Sequence, residues 1–523
     1  MKKSTFIIFI TLLITNVSAQ QQISNFLYNS VTEFGPTCYI NYNGLIYFEA
    51  STDGFGREIW HTDGTTANTA LLKDINPGNN NSVSNSLQPS SCVFNGKLYF
   101  IASNDTSKGE IWKTDGTSNG TERVTNFLDG RTTELTSAGD HIFFLIIEND
   151  FLQVWMSDGT KEGTVLVKDS LSIWNSPTFQ GKCNDVFIFT FQPYGTNNSR
   201  VWRSDGTVNG TFPLTDEIDG NGSGLTGTAA LTQYIEHNNK LYFVSRFHLY
   251  ETDGTKQNTK VVADLWQASI DLVSYSDVIE VNDKLYFSFF KAENYKLSIW
   301  ETDGTTSGTK EIYSKQNTRY FMPSNLSQSN NSLLFCGPNS TGATTFQSLN
   351  TNNFAVTDIK KLADNTNAPF MFGFWNACRI EPISDDEYLI FSNDQKGWIS
   401  NLKTNITNNV TELNSVGNTF SYNNSLYYSK NSQLFKYSGI TDKIKSITQN
   451  YLKLYPNPTS DYVTFGGNVR FEYVRIYDIY GKLLIKKIVS NNNAICVTDL
   501  SSGIYMIECE LNGKKFIGKL IKE

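Results

Sequence analysis

The sequence predicts an all-β protein: a β-propeller of four-stranded blades, eight or nine in number, followed by a small C-terminal β-sandwich. Three observations predict it. Aromatic residues make up 13% of the 523-residue chain and charged residues only 18%. Asn, Ser, Thr and Gly fill much of the remainder, a composition that suits pleated strands better than helices. A twelve-residue phrase, "EIWKTDGTSNGT" at 110, returns as "EIWHTDGTTANT" at 58, "QVWMSDGTKEGT" at 153, "RVWRSDGTVNGT" at 200, "HLYETDGTKQNT" at 248 and "SIWETDGTTSGT" at 298. From about 452 that period ends and the local charge changes sign.

The first element is a leader. "MKKSTFIIFITLLITNVSAQ" has two lysines, an apolar run from Phe6 to Ile14 and small residues at its end. Val17-Ser18-Ala19 fits a cleavage site that makes Gln20 the new N-terminus. The run is too short to span a bilayer, and no cysteine follows the cleavage site for lipid attachment. The mature chain is therefore expected to be exported, with no transmembrane segment.

The repeat is the second element. Its anchors are Trp60, Trp112, Trp155, Trp202, Tyr250 and Trp300, at steps of 52, 43, 47, 48 and 50 residues. Self-similarity at this period marks an array of supersecondary units. Upstream of each anchor stands a turn opening an aromatic strand, as in "NGKLYFIAS" or "NDKLYFSFF". A short strand precedes that turn, and another follows the DGT turn. The unit is a four-stranded antiparallel meander of blade size. Degenerate copies that have lost TDGT follow at "NNSLLFCG" (330), "DDEYLIFSNDQKGWIS" (385) and "NNSLYYSKNSQLFKYSG" (423), giving nine units between about 37 and 448.

The columns of the phrase say what it is for. The residue before the anchor is always aliphatic, so that pair is expected to be covered on both faces by neighbouring blades. The residue after it varies (His61, Lys113, Met156, Arg203, Glu251, Glu301) and is expected to emerge into solvent. Asp-Gly then turns the chain, with Gly free to take positive φ and Asp able to bond amides ahead of it. A later column, Asn68, Gly120, Gly163, Gly210, Asn258 and Gly308, holds only Gly and Asn, and is expected to adopt left-handed backbone. TDGT therefore reads as a hairpin device rather than a ligand or catalytic motif. Repeats of this "ELWxTDGTxxGT" type resemble those of bacterial exported proteins thought to form propellers. The resemblance covers 58–310 strongly and extends weakly to 445. It implies the fold and no activity.

Chemistry is sparse. The four histidines, His61, His141, His237 and His248, have no metal-binding spacing, and HExxH, GxSxG, Walker A and paired CxxC motifs are absent. Carboxylates gathered from several blades would leave no trace in spacing. "DGNGSG" at 219 places Asp219, Asn221 and Ser223 at alternate positions with Gly224 sixth, the first half of a calcium loop. Ala230 stands where the bidentate Glu belongs. These three residues are the metal candidates; no other cofactor is expected. Seven cysteines are too few for a disulfide framework. Cys38 and Cys92 read as small buried hydrophobes, and Cys496 with Cys509 is the pair singled out for a bridge.

The third element begins at "LKLYPNPTSDYVTF". Pro456 and Pro458 hold an extended entry. "VRIYDIYGKLLIKKIV" reads as a hairpin turning at Gly481, and "GIYMIECELNGKKFIGKLI" as a second turning at Asn512-Gly513. Tyr505, Ile507, Cys509 and Leu511 alternate with Met506, Glu508 and Glu510, one buried and one wet face. These stretches closely resemble the type A C-terminal sorting domain of the type IX secretion system, over about 452–523. The resemblance implies passage through the inner membrane by the signal peptide, folding in the periplasm, and export across the outer membrane with removal of this domain. It further implies release, or attachment to surface lipopolysaccharide.

The expected organisation is a signal peptide at 1–19, a propeller at 20–448 and a sorting domain at 449–523. Net charge is −8. The last 73 residues hold ten Lys/Arg against seven Asp/Glu, and the leader adds two lysines, so 20–450 carries about −13. An acidic body without a basic cluster argues against nucleic acid. The expected partners are the type IX machinery and a glycan or protein ligand. The expected location is the medium or outer surface of a Gram-negative cell, reached through the periplasm. The function expected is non-catalytic binding; the alternative is a propeller-type glycan-degrading enzyme, which export and aromatic richness also fit.

Overall fold

The structure is a computed structural model. It describes residues 20–522 except 27–34, 85–86, 88–89, 106, 127–130, 133–134, 196–199, 216–233, 246–247, 266–272, 276–277, 292–295, 317–324, 342, 364–378, 393–395, 439–449, 452–453, 456, 458, 466–472, 478–482, 489–493, 499 and 512–513. The leader therefore lies outside the described residues. Two compact units divide the chain, Met1–Gly439 and Ile440–Glu523.

In the first unit the repeat becomes sheets. Blade 1 runs through strands a to d as Thr37–Tyr42, Leu45–Thr52, Gly56–Thr62 and Ala70–Leu71, each antiparallel to the last. The a–b turn is Asn43-Gly44, both at positive φ, as a tight two-residue hairpin requires. Blades 2, 5, 7 and 8 repeat the meander, ending at Glu122–Arg123, Lys260–Asp264, Val356–Ala363 and Ile406–Asn409. Blade 6 does so with its first strand split into Val273–Tyr275 and Ile279–Val281. Blades 3 and 4 share one 19-residue strand, Val165–Cys183, the d strand of one and the a strand of the other. Among the described residues this makes nine blades, the upper value of the expected range.

Blade 9 supplies only three strands of its own, Thr419–Tyr422, Ser425–Lys430 and Gln433–Ser438. Its fourth is Gln20–Gln22, from the other end of the sequence, pairing Gln20 with Tyr437 and Gln22 with Phe435. Ile23 and Phe26 follow it into the core. The Gln433 side chain accepts from Ser24 Oγ and from Phe26 N at 2.9 Å each, and donates to Phe26 O at 2.9 Å.

Cores lie between blades, not within them. Strand b sends alternate side chains to its two neighbours: Ile46 and Phe48 pack with Tyr427 and Leu434 of blade 9, while Tyr47 packs with Leu98 and Phe100 of blade 2. Equivalent clusters join every successive pair, and the cluster of blades 9 and 1 closes the ring. The aliphatic–aromatic pair behaves as expected: Ile59 sits in the cluster shared with blade 2, and Trp60 packs on the cluster shared with blade 9.

The second unit is a β-sandwich. A five-stranded sheet contains the hairpins Tyr473–Tyr477/Leu483–Ile488 and Gly503–Leu511/Lys514–Lys522; a three-stranded sheet contains Leu454–Tyr455, Tyr462–Phe465 and Ala494–Cys496. Val474, Ile476, Ile507 and Cys509 from one sheet meet Val463 and Ile495 from the other. Glu508, on the opposite face from Cys509, pairs with Arg475 at 3.0 Å. The predicted turn residues Gly481, Asn512 and Gly513 lie outside the described residues.

The singled-out cysteine pair is not bridged. Cys496 and Cys509 take part in no disulfide. The strand period explains it: Ile495 and Val497 fill the core, so Cys496 points away from it, whereas Cys509 is wholly buried within it. Cys336, buried in blade 7, is disulfide-bonded. Cys378, the one cysteine not yet named, lies outside the described residues. Cys92 and Cys183 are buried, as small hydrophobes are, while Cys38 is only half-buried.

Candidate functional site

Strands alternate in direction, so the a–b turns and the c–d turns, which carry TDGT, share one end of the ring. The b–c turns and the connections between blades share the other.

At the TDGT end each loop is closed by its own side chains. The Asp Oδ1 accepts from the backbone N–H of the Thr two residues on, at 2.8–3.0 Å, and from its hydroxyl at 2.6–2.7 Å. The leading Thr or Ser hydroxyl accepts from the DGT glycine N–H and meets the hydroxyl of the last Thr, seven residues on, at 2.7–2.8 Å. Degenerate blade 8 has lost DGT yet keeps that hydroxyl pair, Ser400 with Thr407 at 2.7 Å. Hydrogen bonds from threonine hold the carboxyls of Asp63, Asp115, Asp158 and Asp303 below the ordinary range. At Asp205 and Asp253 burial pulls upward, and the loop bonds outweigh it.

Two expectations are corrected here. The left-handed residues are the DGT glycines, Gly64, Gly116, Gly159, Gly206, Gly254 and Gly304, at φ 86 to 100°. Gly120, Gly163, Gly210 and Gly308 are not left-handed. They are small because a Cβ would lie 1.9–2.1 Å from an oxygen or carbon of the loop's own Asp carboxyl. Where the column has Asn, its amide donates to that carboxylate instead: Asn68 to Asp63 at 2.7 Å and Asn258 to Asp253 at 2.6 Å. The column is thus fixed by a carboxylate, through contact or through a bond.

The variable column does not emerge into solvent either: Lys113, Met156 and Arg203 reach the next blade, while His61, Glu251 and Glu301 meet groups of their own blade. Lys113 Nζ donates to Gly159 O at 3.2 Å and Arg203 Nη1 to Gly254 O at 2.9 Å. Met156 Sδ lies over Gly206. Glu251 and Glu301 are buried, each beside two lysines and a strand b tyrosine hydroxyl. His61 is half-buried against Tyr47, with ring centroids 5.8 Å apart, and burial lowers its pKa against the pull of Asp63. Strand b adds a contact that the sequence did not disclose. The hydroxyls of Tyr47, Tyr99 and Tyr242 close over Gly116, Gly159 and Gly304 of the following blade, and Tyr427 over Gly64. The repeated aromatic after "NGKL" was its one visible trace.

A recess of about 230 Å³ opens at this end beside the a–b turn of blade 5, lined by Asn184 and Glu236 to Lys240. His237 is nearly buried there; Nδ1 lies 3.1 Å from Glu280 Oε2 of blade 6 and Nε2 2.8 Å from the Asn238 amide. Burial raises the Glu236 carboxyl. Both imidazole nitrogens are engaged, so the histidine ties blades together. Among the described residues no three His, Cys, Asp or Glu side chains gather as metal ligands. Asp219, Asn221 and Ser223 lie outside the described residues. No helix among those residues is long and apolar enough to cross a membrane.

A ring of four-stranded blades is a β-propeller, and the ring's polar repeats belong to its scaffold. Residues 453–523 match the secretion system C-terminal sorting domain family. A tail of this family implies export by the type IX secretion system, contact with that machinery, and a place on the cell surface or in the medium. Solved structures similar to the chain include PorZ, a bacterial surface component of the type IX secretion system of Porphyromonas gingivalis (12% identity, 93% of this chain and 75% of that one, TM-score 0.33). Others are BamB from Moraxella catarrhalis (11%, 68% and 96%, TM-score 0.37) and the WD40 domain of SCAP from fission yeast (10%, 80% and 98%, TM-score 0.39). At these scores none bears on function. No curated protein sequence matches significantly.

Proposed function

We propose that the chain is a non-catalytic binding module, a propeller carried out of the cell by its sorting tail to hold a glycan or protein ligand. The observation that carries this reading is the sorting family at 453–523 behind a ring whose recurrent Asp and Thr groups are taken up within their own loops, with Lys113 and Arg203 bonded to the next blade. Export supplies a reason for a large rigid surface, and the recurrent groups supply no reacting pair. The test is purified mature chain on a glycan array and against surface proteins, with captured glycans assayed for new reducing ends or unsaturated products. Binding without turnover is expected; turnover would overturn the reading in favour of a glycan-degrading enzyme.

Calcium at Asp219, Asn221 and Ser223 stays a proposal from the sequence. Calcium should raise the melting temperature by mass action, and Asp219→Ala should abolish the rise. An unchanged melting temperature in the parent chain would dispose of it.

A further inference from the structure

Among the described residues, the exposed aromatics of the ring are Phe55 (39%), Phe151 (44%), Tyr194 (65%) and Tyr234 (45%). All four lie at the end opposite TDGT: Phe55 and Tyr194 follow b strands, Phe151 opens a c strand and Tyr234 opens an a strand. Exposed aliphatic side chains such as Val261, Val356 and Ile406 sit instead on the outer d strands. Two of the four flank one residue of backbone. The strand shared by blades 3 and 4 crosses between them at Ser172, whose Cα is the ladder partner of Phe151 and whose carbonyl accepts from Tyr194 N at 3.1 Å. Paired Cα atoms stand about 5 Å apart, so the two exposed residues stand on either side of Ser172, one strand spacing from it each. The turn before Phe151 is fixed: Asn149 and Asp150 are both left-handed, and Asp150 O accepts from Ile173 N at 3.0 Å.

We propose that this joint between blades 3 and 4 is a glycan subsite, with Phe151 and Tyr194 as stacking platforms for successive sugar rings. The inference rests on the binding reading above and narrows it to one ligand class and one place. A sugar shows an apolar C–H face and a rim of hydroxyls. It is matched by isolated rings set among polar groups, and Asn149, Asp150 and Ser172 are exposed around these two. A protein interface would need a contiguous apolar centre, which two rings in a polar surround do not make. The body's charge of about −13 repels polyanions, so the glycan is a neutral one.

The test is affinity electrophoresis of the mature chain through neutral polysaccharides (cellulose derivatives, xylan, mannan, chitin oligomers), with polygalacturonate for comparison. The variants are Phe151→Ser/Tyr194→Ser, the conservative Phe151→Tyr, and Val208→Ser at the other end of the ring; melting curves establish that each folds. The double variant should bind a neutral glycan at least about tenfold more weakly, the loss of roughly 1.4 kcal/mol, while the other two bind as the parent does. Equal binding by the double variant would overturn the site and leave the binding function standing. Capture of only polygalacturonate or only a protein would overturn the neutral-glycan chemistry, again without touching the broader reading.

Discussion

At the scale of single residues, the TDGT phrase is a clasp, and each letter has a different physical duty. The DGT glycine needs positive φ and room for a side chain of the preceding blade, a tyrosine at Gly64, Gly116, Gly159 and Gly304; the later glycine needs only room for a carboxylate. Gly159→Ala should therefore cost about 1 kcal/mol or more through backbone strain, with the Tyr99 hydroxyl also displaced. Gly163→Ala should cost about 1 kcal/mol by prising Asp158 from Thr160. Gly163→Asn should cost least, because Asn68 and Asn258 already show the replacement bond. Urea melts decide the order, and an Asn variant as weak as Ala would contradict the carboxylate account. Glu58 offers a pH test. Wholly buried, it accepts from Ser82 Oγ and Asn76 N, yet burial lifts its carboxyl to about 7. A folded pKa above the unfolded one means that its share of stability is full below the unfolded value near 4.5 and is lost as pH rises towards 7. Glu58→Gln should flatten the stability profile over that window; an unchanged slope would contradict it. The Gly/Asn restriction was legible in the sequence, but its cause was not. Positive φ and steric contact select the same two residues, and only the neighbouring Asp tells them apart.

At the scale of elements, strands and turns were legible because each blade writes its a–b hairpin in a pair drawn from Gly, Asn and Asp, such as Asn43-Gly44, Asn282-Asp283 or Asn423-Asn424, followed by alternating aromatics. The three blades without TDGT were readable for the same reason. The closing strand was not. "QQQIS" carries no apolar period, and Ser24 meets its partner Gln433 across 409 residues of sequence. Its worth is testable through Gln433, whose side chain makes three bonds to Ser24 and Phe26. Gln433→Ala should cost about 1–3 kcal/mol, leaving buried backbone groups unmet, and should expose Gln20–Phe26 to proteolysis before any other part of the ring. A variant as stable as the parent, with that segment still protected, would show that the ring does not depend on its latch. The shared strand Val165–Cys183 was hidden too, since nothing in "DSLSIWNSPTF" marks where blade 3 ends.

At the scale of the molecule, a ring that buries its surface between neighbours and closes on itself has no structural need of residues beyond blade 9. The C-terminal sandwich has its own core, with Val463, Val474, Ile476, Ile507 and Leu520 all wholly buried within it. Its charge, period and family all set it apart, which is why the sequence disclosed it so fully. The proposed glycan subsite was not legible, because propeller loops bring together residues from different blades and spacing along the chain records none of that. The central claim is that the tail is an address and the propeller is its cargo. Its most direct test is expression, in the native host, of a chain ending near residue 448, followed by quantification in periplasm and medium. The account predicts a folded, protease-resistant propeller retained in the periplasm, with the full-length chain reaching the surface or medium. Recovery of the truncated chain outside the cell at the full-length yield would contradict it.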